Sequence, residues 1–125
     1  MAQADISRQV RRFIAKYIDS VGQLEALLLL RATPELVWDV PRVASRLYAS
    51  EAETTRILDR LCRNGLLVCT DKVYRYQCRT EELQRVVDEL AELYARHLIP
   101  ITNLIHAKSR RIREFADAFR LRKDS

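Results

Sequence analysis

At 125 residues, with only two glycines and three prolines, the chain has material for one modest core and few tight turns, so long helices are expected. Its longest apolar run, Ala26 to Leu30, is too short to cross a membrane. The start MAQADISRQVRRF has no apolar stretch behind its basic residues, as a secretory leader would, so the cytoplasm is the expected compartment. The net charge of +5 sits at the ends: four basic against two acidic residues in 1–20, seven against three in 108–125, and eleven against twelve between them.

In chain order, Ile6, Val10, Phe13, Ile14, Tyr17 and Ile18 recur at helical spacing and predict a first helix over Ile6–Ile18. Arg8, Arg11, Arg12 and Lys16 cover its other faces, either as a solvated surface or as a phosphate-contacting arm. Ser20-Val21-Gly22-Gln23 has the form of a capping box. It opens a buried helix through Leu24, Leu27, Leu28 and Leu30, which Thr33-Pro34 ends. Pro34 starts a further turn, and Leu36-Val37-Trp38 reads as a brief extended segment with Trp38 as a core anchor. Asp39 caps a helix over Pro41–Tyr48 that buries Val43, Ala44 and Leu47. The next helix spans Ser50 to Asn64, with Gly65 as its left-handed stop. Leu66–Thr70 and Val73–Gln77 are rich in strand formers and are joined by Asp71-Lys72 as a hairpin.

Thr80-Glu81-Glu82 caps a long helix with acids in its first turn, where the helix dipole favours them. Along it Leu83, Val87, Leu90, Tyr94, His97, Ile101 and Leu104 repeat with alternating spacings of four and three, a heptad seam. Pro100 removes one backbone bond and is expected to kink or split the helix near Arg96–Ile99. A separate last helix, Arg111 to Phe119, carries Ile112, Phe115, Ala116 and Phe119 on one face, and a frayed tail, Arg120–Ser125, follows.

The three cysteines form no CxxC pair and are expected to be reduced thiols in a reducing compartment. A redox pair of Cys69 with Cys78 is disfavoured. With the turn at Asp71-Lys72, Cys69 lies opposite Tyr74, and Cys78 lies four residues beyond, roughly 13 Å away at about 3.3 Å per residue. Cys62, on the preceding helix, stays open as a partner. The two histidines, His97 and His106, are nine residues apart, not at helical metal spacing. His97 falls on the seam, where it packs or acts as a pH-responsive interface group. Two glycines make no phosphate loop. No metal, cofactor or catalytic site is expected.

Between residues 39 and 77 the sequence DVPRVASRLYASEAETTRILDRLCRNGLL and the hairpin after it resemble the winged helix-turn-helix of MarR-type bacterial transcription regulators. The resemblance rests on Thr55-Arg56, Asp59-Arg60-Leu61 and Gly65-Leu66 and covers about a third of the chain. It implies that Pro41–Tyr48 is a supporting helix, Ser50–Asn64 a recognition helix and the hairpin a wing. It also implies that the long helix from Thr80, with the N-terminal helix, builds a homodimer. In a duplex complex Thr54, Thr55 and Arg56 would reach bases, Ser50 would lie among the DNA-binding residues, Arg42 and Arg46 would contact phosphates, and Lys72 and Arg75 would act from the wing. Two features depart from the family pattern. Glu51 and Glu53 occupy the first turn of the recognition helix, where Glu53 also completes a capping box with Ser50. The wing lacks paired arginines at its tip. Ser50–Arg63 holds three basic and three acidic residues, so Arg110, Arg111 and Arg113 would have to supply auxiliary phosphate contacts.

The expectation is therefore a mainly α, α+β winged-helix domain. Its core is 20–79, with an N-terminal helix in 1–19 and helices in 80–125 that dimerise along the seam or pack on their own domain. Two functions follow. One is a dimeric DNA-binding transcription regulator; the other is a non-enzymatic winged helix that docks a protein partner and has little DNA affinity.

Overall fold

The computed structural model describes residues 6–124, with side chains through 118. The first helix, α1 (Arg8–Tyr17), starts later than its apolar stripe because Ser7 caps it, Oγ accepting from the Val10 N–H. Val10, Phe13 and Ile14 are buried as the periodicity predicts, and the four cations point away from the core. In α2 (Val21–Ala32) Ser20 caps through the Gln23 N–H. The Gln23 side chain does not return to Ser20, however. It is buried and spans the α1–α2 turn, accepting from the Asp19 N–H and donating to the Tyr17 carbonyl, both at 2.8 Å. That satisfies a buried amide which would otherwise cost about 1–3 kcal/mol.

Strand β1 is two residues, Trp38–Asp39, and Asp39 then caps α3 (Val40–Leu47) through the Arg42 N–H. Trp38 is the expected core anchor, its indole N–H donating to Thr33 Oγ1. The turn into α4 (Glu51–Arg63) passes through Tyr48 at φ 55, a left-handed residue that is not glycine. Asn64 and Gly65 stop α4. Gly65 sits at φ +79, which favours glycine, and a Cβ there would lie a tight 3.1 Å from the Arg79 Cβ. Strands β2 (Leu67–Thr70) and β3 (Val73–Tyr76) pair antiparallel with Cys69 opposite Tyr74, the expected register. Asp71 and Lys72 both take positive φ, as a two-residue hairpin turn demands. The sheet order is β1-β3-β2, so the fold is mainly helical with a small three-stranded antiparallel sheet.

Helix α5 (Glu81–Arg96), capped by Thr80, breaks at His97, and α6 (Leu98–Asp124) begins one residue later. The split falls where Pro100 was expected to force it. It corrects the rest of the C-terminal expectation. No separate helix starts at Arg111, and the tail does not fray at Arg120, because α6 runs unbroken to Asp124, with no glycine or proline after Pro100 to stop it. Ser125 and the Phe119 side chain lie outside the described residues. The residues just before Arg111 are spent on a neighbour. Lys108 Nζ donates to the Ile14 and Ile18 carbonyls at the end of α1, and Ser109 Oγ donates to the Asp19 carbonyl.

Much of the heptad seam packs on its own domain, one of the two arrangements expected for it. Val87, Leu90 and Ile101 are fully buried, in the same cluster as Val10, Leu24, Leu27, Leu58 and Leu61, and Leu83, Tyr94 and Leu104 pack at its edge. The break at His97 lets α6 pack against α1, α2 and α5, so the buried residues of the seam find their cover within the chain. His97 itself is the C-terminal cap of α5, its N–H donating to the Leu93 carbonyl. The cysteine expectation changes too: Cys62 of α4 and Cys69 of β2 are joined as a disulfide, and Cys78 alone is free. Among the described residues no helix is long and apolar enough to cross a membrane.

Candidate nucleic-acid interface

Helix α4 buries one stripe and presents another. Thr54, Leu58 and Leu61 are fully buried. The opposite stripe, set by the same 3.6-residue period, is Ala52, Arg56, Asp59 and Arg63, all exposed. This overturns one sequence-based assignment. Thr54 cannot meet a base edge, because it lies in line with Leu58 and its Oγ1 is buried, with no hydrogen-bond partner among the described residues. Thr55 is half-buried, and its hydroxyl donates to the Glu51 carbonyl at 2.8 Å, folded back on its own helix. Ser50 is exposed, but its Oγ serves as the cap, accepting from the Glu53 N–H at 3.1 Å. Arg56 alone of the three expected base contacts stands on the outward stripe. Arg63, absent from the expected set, joins it two turns later.

The flanks of α4 are held by specific bonds. On one side Tyr74 of β3 donates to Asp59 Oδ1 at 2.6 Å. Burial first, and then that carboxylate, push the Tyr74 hydroxyl up to about 12. The bond fixes the hairpin against α4 and occupies one of the acids that would repel phosphate. On the other side Arg60 pairs with Asp19 at 2.8 Å, and Asp19 also takes Lys108 at 2.8 Å. Arg60 is thus turned toward the α1–α2 junction, not toward a groove.

Of the remaining expected contacts, Arg42 and Arg46 project from α3. Arg46 lies over the Trp38 ring, 5.8 Å from its centroid, and with Arg42 it lines a shallow groove of about 490 Å³ that ends at Leu36 and Val37. Lys72 stands exposed at the hairpin tip, and Arg75 on β3 donates to Gln77 Oε1 at 2.9 Å. Arg110, Arg111 and Arg113 are exposed on α6. Arg113 shares a cleft with Arg60 and Asp19, so this helix does return beside α4. Across α3, α4 and the hairpin, Arg42, Arg46, Arg56, Arg63, Lys72 and Arg75 are opposed by Glu51, Glu53, Asp59 and Asp71, a modest positive excess.

Sequence reasoning missed Tyr48. It is 98 % exposed between α3 and α4, held in the left-handed region with its ring in solvent. Its signal was its place: the three-residue link between α3 and α4 turns through a positive φ, and no glycine stands there. Among the described residues no three His, Cys, Asp or Glu side chains converge as a metal site. No protein-family model matches the chain, and no curated protein matches its sequence.

Proposed function

We propose that this chain is a winged helix-turn-helix regulator of the bacterial type that binds duplex DNA as a homodimer in the cytoplasm. Helix α3 supports, α4 reads and the β2–β3 hairpin is the wing. The observation that carries this is the outward stripe of α4, where Arg56 and Arg63 stand clear of the core between a hairpin tied to Asp59 and the arginines of α3. The charge is enough for backbone contacts and too small for strong non-specific affinity, so binding is expected at low salt and lost steeply as salt rises. The base-contacting set contracts to Arg56. Arg42, Arg46, Lys72 and Arg75 serve phosphates, with Arg113 from α6.

The dimer contact moves from the interior seam to the far part of α6. The stripe that buries Ile101 and Ile105 continues at helical spacing to Ile112, which is 52 % exposed beyond the body. Light scattering at tens of micromolar is expected to give twice the chain mass, and Ile112→Asp is expected to halve it.

A gel-shift salt titration on random duplex tests the DNA assignment. Arg56→Ala is expected to weaken binding by about 1–3 kcal/mol. Lys72→Ala is expected to lower the salt slope by about one and Glu51→Gln to tighten binding. Absence of retardation at the lowest salt, with the dimer intact by light scattering, overturns DNA binding and leaves the protein-docking alternative.

A further inference from the structure

The hairpin is fastened to α4 twice. One fastening is the Tyr74–Asp59 hydrogen bond; the other is the disulfide between Cys62, three residues after Asp59, and Cys69, directly across the ladder from Tyr74. We propose that the Cys62–Cys69 bridge is a reversible oxidation site that sets how firmly the hairpin is held against α4. The consequence for DNA rests on the function proposed above; the chemistry of the bridge does not.

Three observations support reversibility. The Cα atoms are 6.3 Å apart, within the span a disulfide bridges without backbone movement, so either state fits the same fold. Cys69 is exposed on β2, which gives a soluble thiol or peroxide a sulfur to attack, while Cys62 is half-buried beside the core. The bridge closes a short loop, only seven residues apart in sequence, from the end of α4 into β2, and the hairpin is already anchored by buried Leu66, Leu67, Tyr74 and Tyr76. The fold therefore does not depend on the bond. Cys78 is outside the exchange: it donates to the Tyr76 hydroxyl at 3.3 Å, and burial pushes its thiol up, away from the reactive thiolate.

The chemistry balances with two ordinary reagents. With hydrogen peroxide, the Cys69 thiolate attacks one oxygen and becomes a sulfenic acid as hydroxide leaves. The Cys62 thiolate then attacks that sulfur and expels a second hydroxide. The two sulfurs together lose two electrons, and the two hydroxides take up the two thiol protons as water. In reverse, a thiol such as glutathione attacks Cys69, releases Cys62 as a thiol, and a second glutathione displaces Cys69 and leaves as glutathione disulfide.

The test uses the full chain after peroxide and after reduction. Alkylation and mass spectrometry are expected to count one free thiol, Cys78, in the oxidised chain and three in the reduced one. The bridge is expected to open in a mostly reduced glutathione buffer. Amide exchange over residues 66–76 should quicken roughly tenfold on reduction, and not in Cys78→Ser when oxidised. Duplex binding should be about five-fold tighter in the oxidised chain, because the wing is pre-ordered, and Cys69→Ser should bind like the reduced chain whatever the oxidant. Three alkylated thiols after peroxide, a bridge that includes Cys78, a bridge that survives the glutathione buffer, or unchanged exchange on opening would each overturn the proposal. If exchange responds but neither state retards DNA, the DNA function fails and the oxidation site stands.

Discussion

The α4–hairpin unit and the α5–α6 pair were written with similar clarity, yet they behave differently. In the first, each local signal meets its partner within about twenty residues: Ser50 caps α4, Gly65 stops it, and Asp71-Lys72 turn the hairpin. In the second, a regular heptad seam finds its partners far away in sequence, on α1 and α2 of the same chain. A periodic apolar stripe states that a helix has a face to bury, and says nothing about whose surface will cover it. The short break at His97 decides this, because it turns the second half of the seam back over the first helices.

That contrast can be broken most directly at Leu90. If the seam is interior, Leu90→Ala removes a fully buried side chain and costs about 2–5 kcal/mol in urea unfolding, independent of protein concentration. A seam shared between copies would instead give a loss that depends on concentration. The next largest effect is expected at Lys108→Met, which removes one donor from each of the Ile14 and Ile18 carbonyls and from Asp19 and should cost about 1–3 kcal/mol by the same measurement. On the hairpin side, Gly65→Ala should cost about 1 kcal/mol or more, since the left-handed backbone and the Arg79 side chain both resist a methyl group. The smallest change, Thr54→Val, should stabilise by up to ~1 kcal/mol, by replacing a buried unpaired hydroxyl, and leave duplex binding untouched.

Alkaline pH sharpens the comparison, because each region holds a tyrosine whose hydroxyl is bonded to a carboxylate. Tyr74 on the hairpin and Tyr94 on α5 are both raised to about 12, by burial first and then by hydrogen bonds to Asp59 and Glu25. A folded-state value above the ordinary 10 means that the protonated hydroxyl is favoured by folding. That contribution is whole below pH 10 and is lost as pH rises toward 12. Tyrosinate absorbance should lag behind that of an unfolded control across this window. Tyr74→Phe and Tyr94→Phe should each remove one lagging group.

Much of the fold was legible because its signals are short-ranged. The caps at Ser20, Asp39, Ser50 and Thr80, the stop at Gly65, the Cys69–Tyr74 register and the break before Pro100 all depend on a few adjacent residues. The site was less legible. Thr54 has the chemistry of a base contact but the phase of a core residue, and the period that placed Leu58 and Leu61 inside also places Thr54 there. The Cys62–Cys69 pairing needed the distance between a helix end and a strand, which no spacing rule supplies. Lys108 and Ser109 lie between the seam and the stretch read as a separate last helix. Their polarity is spent on the exposed carbonyls at the end of another helix, so they extend the packed face.

Asp19 has a consequence for how effects at a distance should combine. One of its oxygens holds Arg60 of α4 and the other holds Lys108 of α6. The two helices therefore pivot on one carboxylate at the α1–α2 turn. Beyond that pivot, residues 110–124 of α6 form a helical arm of roughly 22 Å at about 1.5 Å per residue. A sideways shift of about 4 Å at the arm's tip is a rotation of roughly ten degrees at the pivot. Changes made on the arm and changes made on α4 are thus not independent. Their energies should fail to add while Asp19 is present and should add once it is replaced by alanine.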